Sequence, residues 1–289
     1  MKLSQTRVVI ALAILVVVSI LVVSSSGCSL VNRIRAKNEL NEAARAYRDG
    51  QFEEAERYSR RALELDPDRK TAPLFIARTI HAQYKPGIQA PENLAKASEA
   101  IKAYQMVLER NPKSDEAYKA IAYLYGATKD TEKLRAWISS RANDTSAAPE
   151  KRAEGFIVLA SQDWDCSFKI TELPSNQTKT LVNNKMTIAY KKPANQKDFD
   201  TAQACMKRGL EEVENAIQLD PNSEPAWSYK TNLLIEAVRL AEMDGKTDLK
   251  AQLEKQREEA QKRTTELNQI NQKKKEEEEA KKAASPAKK

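Results

Sequence analysis

A short pattern recurs three times in the chain and constrains the fold more than any other feature. Residues 62–75 read ALELDPDRKTAPLF, residues 106–118 read MVLERNPKSDEAY, and residues 216–227 read AIQLDPNSEPAW. Each copy has an apolar helix end, a proline, a short polar stretch and then an aromatic or apolar residue. Because proline donates no helical hydrogen bond and restrains the residue before it, each copy predicts one helix ending and another beginning.

The composition agrees with a helical chain. Charged residues make up 31% of the 289 residues and glycine only seven, which favours helices over a fold with many turns. The formal net charge is +7, but lysine and arginine alternate with glutamate along the chain. A solvated basic helical surface is therefore favoured over a nucleic-acid interface, since no basic segment carries interleaved aromatics.

The spacing of the copies predicts a repeat of fixed length. Pro67, Pro112 and Pro221 lie 45 and 109 residues apart, which fits a 34-residue period with insertions. Small and bulky residues recur at matching places of that period: Ala43, Gly50, Ala55 and Ala62, then Ile76, Ala77, Ala100 and Tyr104, then Tyr118, Ile121, Ala122 and Tyr125, then Phe156, Leu159, Ala160, Gly209 and Ala216, and finally Trp227. On these residues the chain resembles the tetratricopeptide (TPR) family over roughly residues 36–262.

The resemblance implies an all-α fold, a TPR-like α-solenoid of about five helix-turn-helix repeats. In each repeat a helix A packs on a helix B, and no repeat buries its apolar face alone. The predicted organisation begins with a signal, lipoprotein or transmembrane segment at 1–27 and a tether at 28–35. A solenoid at 36–262 follows, and a charged disordered tail covers 263–289. The repeats of the solenoid are expected at about 36–69, 70–114, 115–152, 153–223 and 224–262.

Two insertions are expected, each in the turn between helices A and B of a repeat. They cover about residues 85–95 and 167–204. The longer one contains TKTLV and KMTIAY around Asn183-Asn184, which predicts a small β-hairpin with a two-residue turn.

Cys166 and Cys205 flank the longer insertion. Their repeat places face each other across the turn, within the Cα separation of roughly 4.4–6.8 Å that a disulfide requires. An exported protein can form such a bond, so we expect a Cys166–Cys205 disulfide. The alternative is two buried free thiols, whereas a metal site is disfavoured because no histidine or further cysteine lies nearby.

The N-terminus predicts a membrane tether. A cationic start precedes the apolar run Val8–Val23 and a group of small residues, which is the pattern of an export signal. Gly27-Cys28 resembles a bacterial lipobox, whose cysteine is lipidated after cleavage. The alternative is an uncleaved anchor, since Val8 to Gly27 is long enough to cross the hydrocarbon core. Both interpretations place residues 29–289 outside the cytoplasm, in the bacterial periplasm or cell envelope.

No residue pattern predicts catalysis, a cofactor or a metal site. The single histidine, His81, falls on a helix A, where a packed or solvated ring is favoured over a ligand contact. Asp163 and Asp165 flank Trp164 and are interpreted as a capped helix end rather than an acid/base pair. Phosphate-binding loops, CxxC pairs and nucleophile elbows do not occur in the sequence, so we expect no enzyme.

The resemblance points to a binding surface. Tetratricopeptide proteins bind peptides or partner proteins along a concave face lined by their A helices. Carried over onto matching places, the candidates are Tyr47, Arg48, Arg78, His81, Lys119, Tyr123, Trp164 and Asn232. This mixed aromatic and cationic lining suits an extended peptide with acidic character, and the alternative is an ordinary half-solvated helix face.

The implied function is that of a non-enzymatic, membrane-tethered scaffold or adaptor for protein or peptide partners outside the cytoplasm, of the kind that supports envelope or pilus assembly. The alternative is a structural envelope protein that self-associates through its end helices. The tail KKKEEEEAKKAASPAKK predicts a fraying helix that runs into disorder, with a coiled-coil extension as the alternative.

Overall fold

The structure is a computed structural model that describes residues 29–182 and 185–284. The predicted membrane segment 1–27, the lipidation candidate Cys28 and the hairpin turn Asn183-Asn184 lie outside these residues. None of the helices within the described ranges is long and apolar enough to cross a membrane. The chain divides after Leu134 into two compact units.

Unit 1 is a series of helices joined by short turns. α1 covers residues 29–48, and it is followed by α2 (Phe52–Leu65), α3 (Ala72–Gln83), α4 (Pro91–Arg110), α5 (Asp115–Ala127) and α6 (Thr131–Asn143), whose later turns belong to unit 2. The start of α5 is capped as helix starts commonly are, because the Ser114 hydroxyl accepts the backbone N–H of Ala117 at 3.3 Å. The part of the predicted tether 28–35 that the structure describes is helical, since α1 begins at residue 29.

The core of unit 1 lies where consecutive helices cross. α3 packs against α2 and α4, and α4 packs against α5. Fully buried alanines occupy these crossings: Ala55, Ala62, Ala77, Ala97, Ala100 and Ala117. An alanine side chain ends at Cβ, so neighbouring backbones approach closely, and the larger Ile80, Tyr104 and Ile121 fill the spaces between helices. This is the pairing that the repeat pattern predicts, although Ala122 is only half-buried.

Unit 2 contains α7 (Pro149–Thr171), β1 (Gln177–Val182), β2 (Lys185–Tyr190), α8 (Gln196–Leu219), α9 (Glu224–Met243) and α10 (Thr247–Ala284). α7 packs against α8, α9 packs against α10, and α9 also contacts α7 and α8. The helices therefore form consecutive pairs here as well, and Leu159, Ala160, Ala202, Val213, Ala216 and Leu233 are fully buried between them.

The predicted β-hairpin is confirmed. β1 and β2 pair antiparallel, with Gln177 opposite Tyr190 and Leu181 opposite Met186. The excursion outside the helices covers residues 172–195, which is shorter than the predicted insertion 167–204, because α7 continues to Thr171 and α8 begins at Gln196. In unit 1, α3 ends at Gln83 and α4 begins at Pro91, so residues 91–95 of the predicted insertion 85–95 extend a helix.

The Cys166–Cys205 disulfide is also confirmed. The bond joins α7 to α8 with a Cα separation of 6.0 Å and encloses the hairpin excursion. The reason is geometric: α7 and α8 run antiparallel, and the two cysteines face each other within the paired helices, before the end of α7 at Thr171 and after the start of α8 at Gln196.

The C-terminal helix is longer than predicted. Ala260 and Leu267 of α10 are buried, whereas every side chain from residue 268 to residue 282 is exposed. The sequence predicts a disordered tail from residue 263, but the structure is helical through Ala284. Glutamate, lysine, glutamine and alanine are strong helix formers, so this segment is helical without a buried face.

The tightest helix crossing in unit 2 generates a stability prediction. A Cβ added at Gly209 would lie 2.5 Å from a methyl carbon of Leu233, which is itself fully buried. We therefore expect Gly209→Ala to lower the free energy of unfolding by about 1–3 kcal/mol, as overpacking does. Denaturant unfolding followed by circular dichroism measures this change.

The matched control is Gly126→Ala on α5. A Cβ there meets nothing closer than Leu134 at 3.7 Å. Replacing a helical glycine by alanine in such space stabilises a helix by up to about 1 kcal/mol. Equal effects of the two substitutions would show that the Gly209 crossing is not tight.

Candidate functional site

Unit 1 carries six of the predicted binding residues on α1, α3 and α5, and four of them form one surface together with Phe75. We call the surface formed by Tyr47, Phe75, Arg78, His81 and Tyr123 the unit 1 face; these residues come from α1, α3 and α5. At one end the ring of Tyr47 lies 5.8 Å from that of Phe75 and 5.3 Å from that of Phe52. The rings therefore support one another in the geometry that aromatic pairs favour.

The middle of the unit 1 face holds an ion pair between two helices. The guanidinium of Arg78 on α3 donates through two nitrogens to the carboxylate of Glu116 on α5. The hydrogen bond to Glu116 raises the pKa of Arg78. Both side chains are a little under half exposed, so the pair orients the arginine more than it stabilises the fold.

At the other end, His81 lies between two tyrosines. Its ring centroid is 5.8 Å from that of Tyr104 and 5.5 Å from that of Tyr123, and its Nδ1 is 3.3 Å from the Tyr104 hydroxyl. Burial lowers the pKa of His81 and raises that of Tyr104. Tyr123 itself is 51% exposed, so it closes one side of the histidine and presents an open ring to solvent.

The predicted cations of this region carry less free charge than the sequence suggests. Lys119 contacts Asp115 one helical turn away at 2.9 Å, and Arg78 is paired with Glu116. Arg48, at the end of α1, is exposed. Both acids sit in the first turn of α5, where the helix dipole favours negative charge, and this placement brings them next to the cations.

Unit 2 has an aromatic cluster of its own. The ring of Trp164 on α7 lies 5.0 Å from that of Phe168 and 6.3 Å from that of Tyr229 on α9. The predicted candidate Asn232 is half-buried on α9. A single trough that combines the candidates of both units remains a prediction.

The interpretation of Asp163 as part of a capped helix end is wrong. Because α7 runs to Thr171, Asp163 lies in its interior and is almost fully buried. Its two carboxylate oxygens accept hydrogen bonds from Arg135 at 2.9 Å and from Arg208 at 2.8 Å. The carboxylate is held by two cations from α6 and α8, so it ties three helices of unit 2 together.

The sequence reasoning missed a second buried carboxylate. Glu236 on α9 is fully buried and accepts hydrogen bonds from the hydroxyls of Ser167 and Thr171 on α7 and from Arg239. Burial raises the pKa of Glu236. The sequence feature that could have revealed this buried carboxylate is a glutamate within the apolar helical stretch LLIEAV, at a position that packs inward. A buried carboxylate requires hydrogen-bond partners, so the contacts of Glu236 specify how α9 packs on α7.

This fold and these faces define a mainly helical protein of consecutive helix pairs with a β-hairpin excursion. No protein-family model matches the chain, and neither does any curated protein. Among solved structures, the "MamA RS-1 ArsTM double mutant" aligns with 82% of this chain and 96% of its own length, at 16% identity and a TM-score of 0.41. "MamA 41-end from Desulfovibrio magneticus RS-1" aligns with 76% and 94% of the two chains, at 16% identity and a TM-score of 0.37. A tetratricopeptide repeat protein from Parabacteroides merdae aligns with 81% and 97%, at 13% identity and a TM-score of 0.34.

The buried position of His81 generates a pH prediction. Its pKa lies below 6.5 in the folded protein, so the unfolded chain binds more protons as the pH falls below that value. The free energy of unfolding should therefore fall as the pH decreases from 7 through the folded pKa. Because His81 is the only histidine in the chain, His81→Gln should flatten the change between pH 7 and pH 5.5.

Denaturant unfolding at several pH values measures this effect. The carboxylates titrate alike in both proteins, so the difference between their slopes belongs to His81. Parallel curves for the wild type and His81→Gln would contradict the assignment.

Proposed function

We propose that the chain is a non-enzymatic scaffold whose A-helix faces bind an extended segment of a partner protein. The observation that carries the proposal is the unit 1 face, where side chains from three successive A helices make ring contacts and one ion pair. Each helix contributes a different residue, so a segment that crosses the helices would meet all of them in turn.

The composition of this face indicates how it would bind. Tyrosine and arginine are enriched among the residues that contribute most to binding energy, because they combine a large contact area with a polar end. Tyr123 offers an open ring, while Glu116 already holds Arg78 in place, which reduces the entropy lost on binding. With Arg78 and Lys119 both paired, the expected partner makes ring contacts and hydrogen bonds rather than supplying acidic charge alone.

Site-specific photo-crosslinking in cells tests the proposal. A benzoylphenylalanine placed at Tyr123 of the full chain should give a discrete adduct with a partner protein, identified by mass spectrometry. The control is Met106 on α4, which is 54% exposed and therefore equally accessible, but lies outside the unit 1 face. Purified partner should then bind Tyr123→Ala or Arg78→Ala about tenfold more weakly than wild type, as for residues central to an interface.

Two results would overturn this proposal. Equal adducts from Tyr123 and Met106 would show that the face has no special role. Adducts only with a second copy of the chain, together with an oligomer in sizing chromatography, would favour the self-associating structural protein instead.

The proposal also places residues 29–289 outside the cytoplasm on a membrane tether, in envelope or pilus assembly. The N-terminal apolar run supports the tether. The Cys166–Cys205 bond supports the compartment, because disulfides persist in oxidising surroundings and are rare in the cytosol.

Thiol trapping tests this location. In a Cys28→Ser background, Cys166 and Cys205 of the full chain should resist maleimide modification after acid quenching of cells. Deleting residues 1–27 should keep the protein in the cytosol and leave both thiols modifiable. Two reactive thiols in the full chain would contradict an extracytoplasmic location.

A further inference from the structure

The charges at the unit 1 face are neutralised within the chain. The guanidinium of Arg78 donates through two nitrogens to Glu116, and the ammonium of Lys119 lies 2.9 Å from the carboxylate of Asp115. Because opposite charges already meet here, a partner segment that carries charge of either sign would lose part of its hydration and gain little attraction in return. The face therefore complements a segment that is uncharged.

Hydrogen-bond donors remain on this face after its carboxylates are engaged. A guanidinium carries five N–H groups, and Glu116 accepts from only two of those on Arg78. The hydroxyls of Tyr47 and Tyr123 make no hydrogen bond to another residue within 29–182 and 185–284. The face thus offers donors to carbonyl oxygens of a partner, while its strongest acceptors already have partners of their own.

A proline-rich segment in the polyproline II conformation has the matching set of groups. Proline has a carbonyl but no N–H, and the polyproline II helix makes no internal hydrogen bonds, so its carbonyls point outward and are free to accept. In an extended segment of other residues, N–H groups accompany the carbonyls. On this face those N–H groups would lose water without finding a free carboxylate, which is costly.

Aromatic rings at two places on the face supply the contact area. Tyr47 of α1 lies against Phe75, and Tyr123 of α5 lies against His81, with ring centroids 5.8 and 5.5 Å apart. Proline-rich segments dock into grooves lined by aromatic side chains, and their conformation is formed before binding. Phe75 and His81 are six residues apart on α3, or about 9 Å along its axis. A polyproline II segment of about eight residues spans roughly 25 Å, which is enough to reach both ring pairs.

We propose that the partner segment bound by the unit 1 face is proline-rich and binds as a polyproline II helix. This inference rests on the proposed scaffold function and names the chemistry of its partner. Proline rings pack on the two ring pairs, and carbonyl oxygens accept hydrogen bonds from Tyr123 and Arg78. Because the cations of this region are already paired, such a segment is favoured over the acidic peptide that the sequence indicates.

Peptide binding to the full chain, purified in detergent, tests this inference. The probes are three fluorescein-labelled peptides of equal length: decaproline, a glycine-serine peptide and a glutamate-rich peptide. Fluorescence anisotropy measures their dissociation constants. Tyr123→Ala is compared with Tyr58→Ala, which removes a half-buried tyrosine of α2 that contacts Arg57 and lies outside the unit 1 face.

We expect decaproline to bind wild type more tightly than either other peptide does. Tyr123→Ala should weaken this binding about tenfold, as for residues central to an interface, whereas Tyr58→Ala should leave it unchanged. Tyr123→Phe keeps the ring and loses the donor. Its binding should weaken about two- to tenfold, which is the net contribution of one hydrogen bond.

Decaproline that binds no better than the glycine-serine peptide would overturn the inference. Tighter binding of the glutamate-rich peptide would do the same and would restore the acidic partner. Equal weakening by Tyr123→Ala and Tyr58→Ala would show that the peptide binds outside the unit 1 face.

The crosslinking experiment separates this inference from the function on which it rests. Mass spectrometry of the adduct formed at Tyr123 in cells should identify a proline-rich segment of the partner. An adduct with a proline-free segment would refute the polyproline II inference and leave the scaffold function standing. Equal adducts from Tyr123 and Met106 would instead count against the scaffold function itself.

Discussion

The close approach of paired helices over small side chains is the constraint on which the rest of this protein depends. Ala77 on α3 and Ala160 on α7 are fully buried, and a Cβ added at Gly209 on α8 would displace Leu233. Close packing at these points determines which residues of each helix face inward. The same packing directs Tyr47, Arg78 and Tyr123 outward to a shared surface, so the candidate site is a consequence of the core.

Buried charged residues add to the packing specificity that the alanines provide. In unit 2 the buried carboxylates of Asp163 and Glu236 each have partners from neighbouring helices, and these contacts specify the seating of α7, α8 and α9. A buried carboxylate without such partners would be strongly destabilising, so these pairs favour one arrangement over others with similar apolar burial. The excursion between α7 and α8 is held at its base in the same way, by Tyr190, Glu172 and Arg239 and by the disulfide.

Much of the fold could be predicted from the sequence because its signals are local. Pro67, Pro112 and Pro221 mark helix ends, Ser114 marks a helix start, and the two β-prone stretches mark a hairpin. The disulfide also followed, since two cysteines at the ends of one insertion are brought together whenever the flanking helices pair. Helix lengths were less predictable: α10 extends to Ala284 and α7 to Thr171, because intrinsic helix propensity has no sharp limit without a proline or glycine.

The sequence by itself determined that this chain forms paired helices with a hairpin excursion, and it identified the aromatic and basic side chains on the A helices. Only the tertiary structure decided which charges are free. Arg78 and Lys119 are paired with Glu116 and Asp115, whereas Lys179, Lys191 and Lys197 have no such partner in the described ranges. The physical reason is that periodicity specifies the side of a helix on which a residue lies, while an ion pair between helices such as Arg78–Glu116 depends on angles and distances that no local pattern contains.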